Sequence, residues 1–279
     1  MKKVAITGAT GFIGAQICKS FDKSNIDYVR LTRTPNCDKD RFYDLSSEKI
    51  NKDLLKGVDI LIHAAAFVHK GFDKNKHTKL NFHASKLIFD LAFENNINII
   101  FLSTVGVYGH ISSRGKIEES HKLYPLNIYS ETKLSCEEYL KEKALFLGKK
   151  YTILRLPLVI GKNAPGSFGQ LEKLVLSGIP LPFKSVKNLR SVLCVKRLGD
   201  LIVNFCLNKN FLNSSLIVKN KNDMSLEEIC EFISQIHNCK LRIFYFPVSI
   251  LRIILLILGK KKIEHQLLRS LVFNSSLEI

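Results

Sequence analysis

An apolar run near the start of the chain breaks on three glycines at a three-residue interval. Lys3–Thr7 leads into Thr7-Gly8-Ala9-Thr10-Gly11-Phe12-Ile13-Gly14, and a helix-compatible stretch follows over 12–23. A strand that turns on glycine into an amphipathic helix is half of a parallel strand–helix–strand unit, and this motif restricts the fold more than any other. Gly8 and Gly11 permit a tight turn and close backbone approach to a pyrophosphate, with Thr10, Phe12 and Ile13 in the same turn. Gly14 lets the helix settle against the sheet, and the helix N-terminus offers N–H groups and positive potential.

The alternation continues. Strand-length apolar runs at Tyr28–Thr32, Ile60–His63, Ile99–Ser103 and Thr152–Leu156 are separated by helix-compatible stretches that include 78–95 and 129–147. This order predicts an α/β fold, a Rossmann-type doubly wound parallel sheet whose ligands lie beyond the carboxyl ends of the strands. After residue 157, loops rich in Gly and Pro (161–169 and 178–182) change the pattern. The expected organisation is a dinucleotide-binding domain over 1–157 and a smaller C-terminal substrate lobe over 158–279, interleaved with the first.

Composition narrows the function. Hydrophobic residues make up 46% and charged residues 24%, enough for a substantial core. Seven scattered cysteines with no C-x-x-C spacing argue for free thiols and against a disulfide framework or a metal site. No stretch of the N-terminus reads as a signal peptide, and a cytoplasmic location is the expectation. Forty-two basic against 25 acidic residues give a net charge of +17. The basic clusters, Lys149-Lys150 and Lys260–Lys262, are short, and no base-reading motif accompanies them, so nucleic acid is not the expected partner. A solvated lysine-rich surface is the plain reading. In Leu241–Leu258, the most hydrophobic segment, Arg242, Pro247 and Arg252 leave no uncharged run long enough to span a membrane. A helix packed in the small lobe is expected, with a weak membrane-surface contact as the alternative.

Other strand ends carry candidate chemistry. Arg33 stands where an NAD-specific site usually has an acid for the ribose hydroxyl, and an arginine there suits a 2′-phosphate. Asp44-Leu45 reads either as a neighbour of the adenine or as a solvated turn. His63-Ala64-Ala65-Ala66 ends a strand in small residues, and His63 is assigned no proton transfer. Ser103 and Thr104 close another strand, either as caps or as hydroxyls for a substrate oxygen. Tyr129 and Lys133, four apart in Tyr-Ser-Glu-Thr-Lys, share one helix face. A neighbouring ammonium favours phenolate, so the spacing predicts a lowered Tyr129 pKa and proton exchange with a hydroxyl or carbonyl oxygen.

Together, TGATGFIG at 7–14, HAAA at 63–66, STVGVYG at 103–109 and YSETK at 129–133 resemble the extended short-chain dehydrogenase/reductase superfamily in its NAD-dependent epimerase/dehydratase branch. The resemblance runs from residue 2 to about 275. It implies Tyr129 as acid/base, Lys133 as its partner and Thr104 as the group binding the reacting oxygen. Gly8, Thr10, Gly11, Phe12, Ile13, Gly14, Arg33, Asp44, Leu45, Ala64, Ala65, Ala66, Tyr129, Lys133 and Pro157 would line the cofactor. Ser103, Thr104, Asn81 and Arg190 would meet the substrate, Asn81 beginning a helix and Arg190 gripping a nucleotide diphosphate. The GIPLPF run, the NLRS segment and the apolar helix resemble bacterial enzymes acting at C4 of UDP-hexoses in surface-polysaccharide synthesis. A homodimer through 81–95 and 129–147 is implied too. The cofactor is NAD or NADP, and Arg33 tilts the expectation toward NADP and a 4-keto reductase. Lys196 stands where the pattern has an acid, and the chain ends earlier than the pattern does. The alternative is a non-catalytic NADP-binding sensor or scaffold of the same fold.

Overall fold

The computed structural model describes residues 3–68, 73–208 and 211–279. The chain divides into two compact units: 1–109, 122–156 and 195–216 form the first, and 110–121, 157–194 and 217–279 the second.

The first unit is built on parallel strands β1 (Val4–Thr7), β2 (Tyr28–Thr32), β3 (Asp40–Phe42), β4 (Ile60–His63) and β5 (Asn98–Thr104), followed, after the short β6 (Lys116–Ile117) of the second unit, by β7 (Tyr151–Leu156). Their order is β3-β2-β1-β4-β5-β7, and β10 (Ser215–Lys219) and β12 (Leu277–Glu278) extend the same sheet to eight strands. The switch between β1 and β4 is where an open α/β sheet leaves a crevice at its carboxyl edge. Every residue of β1 and β4 is buried, as expected for strands covered on both faces.

Helices α1 (Phe12–Lys23), α2 (Lys74–His77), α3 (Ala84–Glu94) and α4 (Ile128–Leu147) complete this part of the chain. Ile88, Phe89, Ala92, Cys136, Leu140 and Ala144 of α3 and α4 bury Ala5, Leu61, Ile99 and Phe101 of alternate strand positions. Elsewhere α1 packs on a later helix, α6 (Val195–Asn208). A Cβ at Gly199 would stand 2.4 Å from Ser20 Oγ, so the two helices meet at glycine distance. This contact returns residues 195–216 to the first unit although they follow residue 158 in sequence. Local chemistry sets the helix ends. Asn127 caps α4 by accepting the Ser130 N–H, and Gly148, at φ +63°, ends it.

The second unit contains a small parallel pair, β8 (Leu158–Ile160) with β9 (Val192–Cys194), and another of β6 with β11 (Val272–Phe273). Its helices are α5 (Gly166–Leu176), α7 (Leu226–His237), α8 (Val248–Ile257) and α9 (Lys261–Leu268). Buried Pro157 separates β7 from β8 because proline has no N–H to give a ladder. A full capping box of Ser225 and Glu228 opens α7.

Candidate active site

The glycine turn is compact for a steric reason. Gly8 sits at φ +68°, and a Cβ there would lie 2.8 Å from the Ala65 nitrogen. At Gly14 a Cβ would lie 2.1 Å from the Gly8 carbonyl oxygen, so this glycine serves the approach of α1 to the turn itself, not the sheet as the sequence suggests. Gly11 donates its N–H to that same carbonyl at 3.0 Å. As the N-cap of α1, Gly11 has no side chain to occupy the first-turn N–H groups. A tight, uncapped helix start fits the pyrophosphate of a dinucleotide.

A directed hydrogen-bond chain braces this turn. Thr7 Oγ1 accepts the N–H groups of Ala64 and Ala65, each at 3.1 Å, so its own proton points to His63 Nδ1 at 2.9 Å. His63 Nε2 then carries the ring hydrogen and donates to Ser85 Oγ at 2.8 Å, which donates to the Asn81 carbonyl at 2.5 Å. Burial, and next the charge of Lys133, hold His63 well below the usual histidine range. It stays neutral, in one tautomer.

Asn81 lies within a π-helical segment, Thr78–His83, not at a helix start. Its carboxamide accepts the Phe67 N–H at 2.7 Å and donates to the Phe67 carbonyl at 3.1 Å. This buried amide pins the segment after Ala66. Ser103 is engaged internally too. Side chains alternate along a strand, and its hydroxyl turns into the interior to donate to Glu137 Oε1 at 2.5 Å. Thr104, on the other side of the pleat, is half-buried at the end of β5 and accepts the Gly106 N–H at 3.0 Å.

Tyr129 and Lys133 occupy the first turns of α4. Lys133 is buried, donates to the Leu102 carbonyl at 2.8 Å, and lies 4.5 Å from the Phe101 ring centroid and 6.0 Å from that of Tyr129. This bond ties α4 to the carboxyl end of β5. The expected lowering of the Tyr129 pKa is overturned. Burial pushes the phenol up to about 12, with Cys136 adding to it. Burial also pulls Lys133 down to about 8, against the raising influence of Cys136 and Glu137. With the ammonium held on a carbonyl, desolvation outweighs its attraction for the phenolate.

One buried polar cluster escapes the motif reading. Arg155 donates to both carboxylate oxygens of fully buried Glu137, from Nε at 3.2 Å to each and from Nη2 at 2.7 Å to Oε2, and also to the Tyr108 hydroxyl at 2.7 Å. Glu137 is one turn beyond Lys133, so the i, i+4 spacing was a visible signal, but its burial was not.

After β3, Asp44 accepts the Ser46 N–H at 2.9 Å, a turn role, and is lowered chiefly by that bond with Arg33 contributing. Arg33 is exposed and Leu45 half-buried, as are Phe12, Ile13 and Ala64–Ala66; Thr10 is exposed. In the second unit, Arg190 borders a cavity of about 220 Å³ with Phe168, Leu171, Leu226, Ile263 and Gln266. Its Nη1 donates to the carbonyls of Gln266 and Arg269 at 3.1 and 3.2 Å, and burial lowers its pKa. No carboxylate neutralises it among the described residues. Exposed Lys196 begins α6.

Comparison with known proteins meets this geometry. The family model for the NAD dependent epimerase/dehydratase family matches residues 4–179. A UDP-glucose 4-epimerase of Vibrio cholerae is 28% identical over 244 residues, 82% of this chain and 74% of its own. Among solved structures, a UDP-N-acetylglucosamine 4-epimerase from Bacillus cereus aligns with a TM-score of 0.79 at 20% identity, covering 99% of this chain and 91% of that one. A UDP-glucuronic acid 4-epimerase from Bacillus cereus, in complex with NAD, aligns at 0.72 and 22% identity, over 88% and 87%. The NADP lean drawn from Arg33 finds no support among them. From its glycine turn through its tyrosine and lysine, and over more than half its length, this chain belongs to the NAD dependent epimerase/dehydratase family.

Proposed function

We propose that this protein is an NAD-dependent 4-epimerase of UDP-hexoses. The observation that carries the reading is the buried Lys133 bonded to the end of β5, which holds Tyr129 and Thr104 at the carboxyl edge two strands from the glycine turn. Two strand spacings are roughly 10 Å, a distance a dinucleotide covers easily.

Gly8, Gly11, Gly14 and Ala64–Ala66 would hold the cofactor, with Arg33, Asp44 and Leu45 at its adenosine end and Pro157 toward the nicotinamide. Bound NAD would supply the hydride exchange. Tyr129 would take the proton of the sugar C4 hydroxyl and return it to the ketone oxygen when the alcohol re-forms on the other face. Lys133 would hold positive charge on the phenol's side, and Thr104 would orient the reacting oxygen. Arg190 and the apolar cavity beside it suit a nucleotide diphosphate, an unneutralised guanidinium being matched to phosphate oxygens. A cytoplasmic enzyme of surface-polysaccharide synthesis, dimeric through α3 and α4, is the setting this function fits.

The test is NMR analysis of purified protein mixed with UDP-hexoses and NAD. A C4-epimer should accumulate, and Tyr129→Phe should slow its formation by about 100- to 10,000-fold. Wild-type turnover by Tyr129→Phe would refute the catalytic assignment. Reduction of a UDP-4-keto-6-deoxyhexose by NADPH without epimerisation would identify a reductase. Tight dinucleotide binding with no turnover would identify a sensor.

A further inference from the structure

Helix α8 is apolar on two faces. Leu251 is buried, with Val248 and Leu255 half-buried, an i, i+3, i+7 set that packs inward. On the other face Ile250, Ile253, Ile254 and Ile257 repeat the same spacing and are exposed, Ile257 at 79% and the following Leu258 at 63%. Phe244 and Tyr245 ahead of the helix are exposed too, with the Lys184 ammonium 4.9 Å from the Tyr245 ring centroid. Apolar side chains exposed along a whole helix face mark an interaction surface.

Charge identifies the partner. Lys240–Lys262 contains six basic residues and no acidic one. Arg252 is paired with buried Glu264 at 3.0 Å, whereas Arg242 and Lys260–Lys262 are exposed at the two ends of the segment. A two-fold contact with a second copy would set these cations against their own images, which opposes association. An anionic bilayer neutralises them and accepts the isoleucines and aromatics together. Spanning is excluded by length. Ten helical residues reach about 15 Å, half the hydrocarbon thickness, and no helix among the described residues is long and apolar enough to cross.

We infer that the α8 face docks this protein on an anionic phospholipid surface, the helix lying in the interface with Lys260–Lys262 among the headgroups.

The experiment is co-sedimentation of the full chain with vesicles of phosphatidylcholine alone or with about 30% phosphatidylglycerol added, at low and high salt. Binding should favour the anionic vesicles and fall as salt rises. Exchanging all three of Lys260, Lys261 and Lys262 for alanine should weaken anionic-vesicle binding about 100-fold, at about tenfold or less per lysine. Ile253→Glu with Ile257→Glu should abolish binding to both vesicle types. Both variants should keep the wild-type melting temperature, which separates lost docking from lost folding. Absence of vesicle binding by the wild-type chain, or binding that neither variant alters, overturns the inference. A self-association that Ile257→Glu abolishes, with no vesicle binding, overturns it in favour of a second copy.

Discussion

The carboxyl edge of the first unit's sheet and the cavity of the second unit solve opposite problems. At the sheet edge, buried polar groups satisfy one another. Thr7, His63, Ser85 and Asn81 form one chain, and Ser103, Glu137, Arg155 and Tyr108 another. Around Arg190, a mostly apolar lining surrounds one guanidinium that donates to two carbonyl oxygens and has no carboxylate partner among the described residues. The first arrangement leaves few groups free and fixes their direction, which suits chemistry that tolerates little displacement. The second leaves a charge unneutralised, which suits holding an anion.

The largest effect that would break this contrast is at Glu137. Glu137→Leu leaves Arg155 buried without its carboxylate, and unfolding in urea should show a loss of about 3–5 kcal/mol. Adding Arg155→Met should recover most of it, because removing both members also removes the unpaired charge. A single variant as stable as the wild type would mean that the network does not hold the edge.

Arg190→Leu sharpens the other half. Loss of a charged contact to the substrate should raise KM for the UDP-sugar about 10- to 100-fold and leave kcat close to wild type. A fall in kcat at unchanged KM would move Arg190 from recognition to chemistry.

The smallest stability effect is at Lys133, where function opposes stability. Its folded pKa, about 8, lies below the ordinary lysine value of 10.5. Between those values the unfolded chain binds more protons, so this residue's contribution to stability improves as pH rises from 8 to 10.5 and is least favourable below 8. Lys133→Met should therefore melt a few degrees higher than wild type at pH 7, an advantage that fades by pH 10, while losing turnover. Equal melting temperatures at pH 7 would show that the Leu102 bond offsets the burial of the charge.

Much of the site is legible without a structure because its motifs answer to local geometry. A glycine turn needs glycine wherever backbone approaches backbone, as Gly8 does at Ala65. Four residues on a helix bring Tyr129 and Lys133 to one face in any context. The strand–helix alternation likewise fixes a parallel sheet, since each strand is too apolar to lie exposed. What adjacent letters hide is direction and depth. Ser103 and Thr104 look equivalent in sequence, but the pleat turns one inward to Glu137 and leaves the other at the edge. The Tyr129 pKa follows burial, not the nearby lysine, because desolvation depends on every atom packed around the ring. Asn81 is engaged by Phe67, fourteen residues away in sequence, and α6 returns to α1 because glycine at 199 lets two helices touch. Spacing is a property of the chain and was set by its residues alone; solvation and long-range partners belong to the folded assembly of atoms, so only the tertiary structure could decide them.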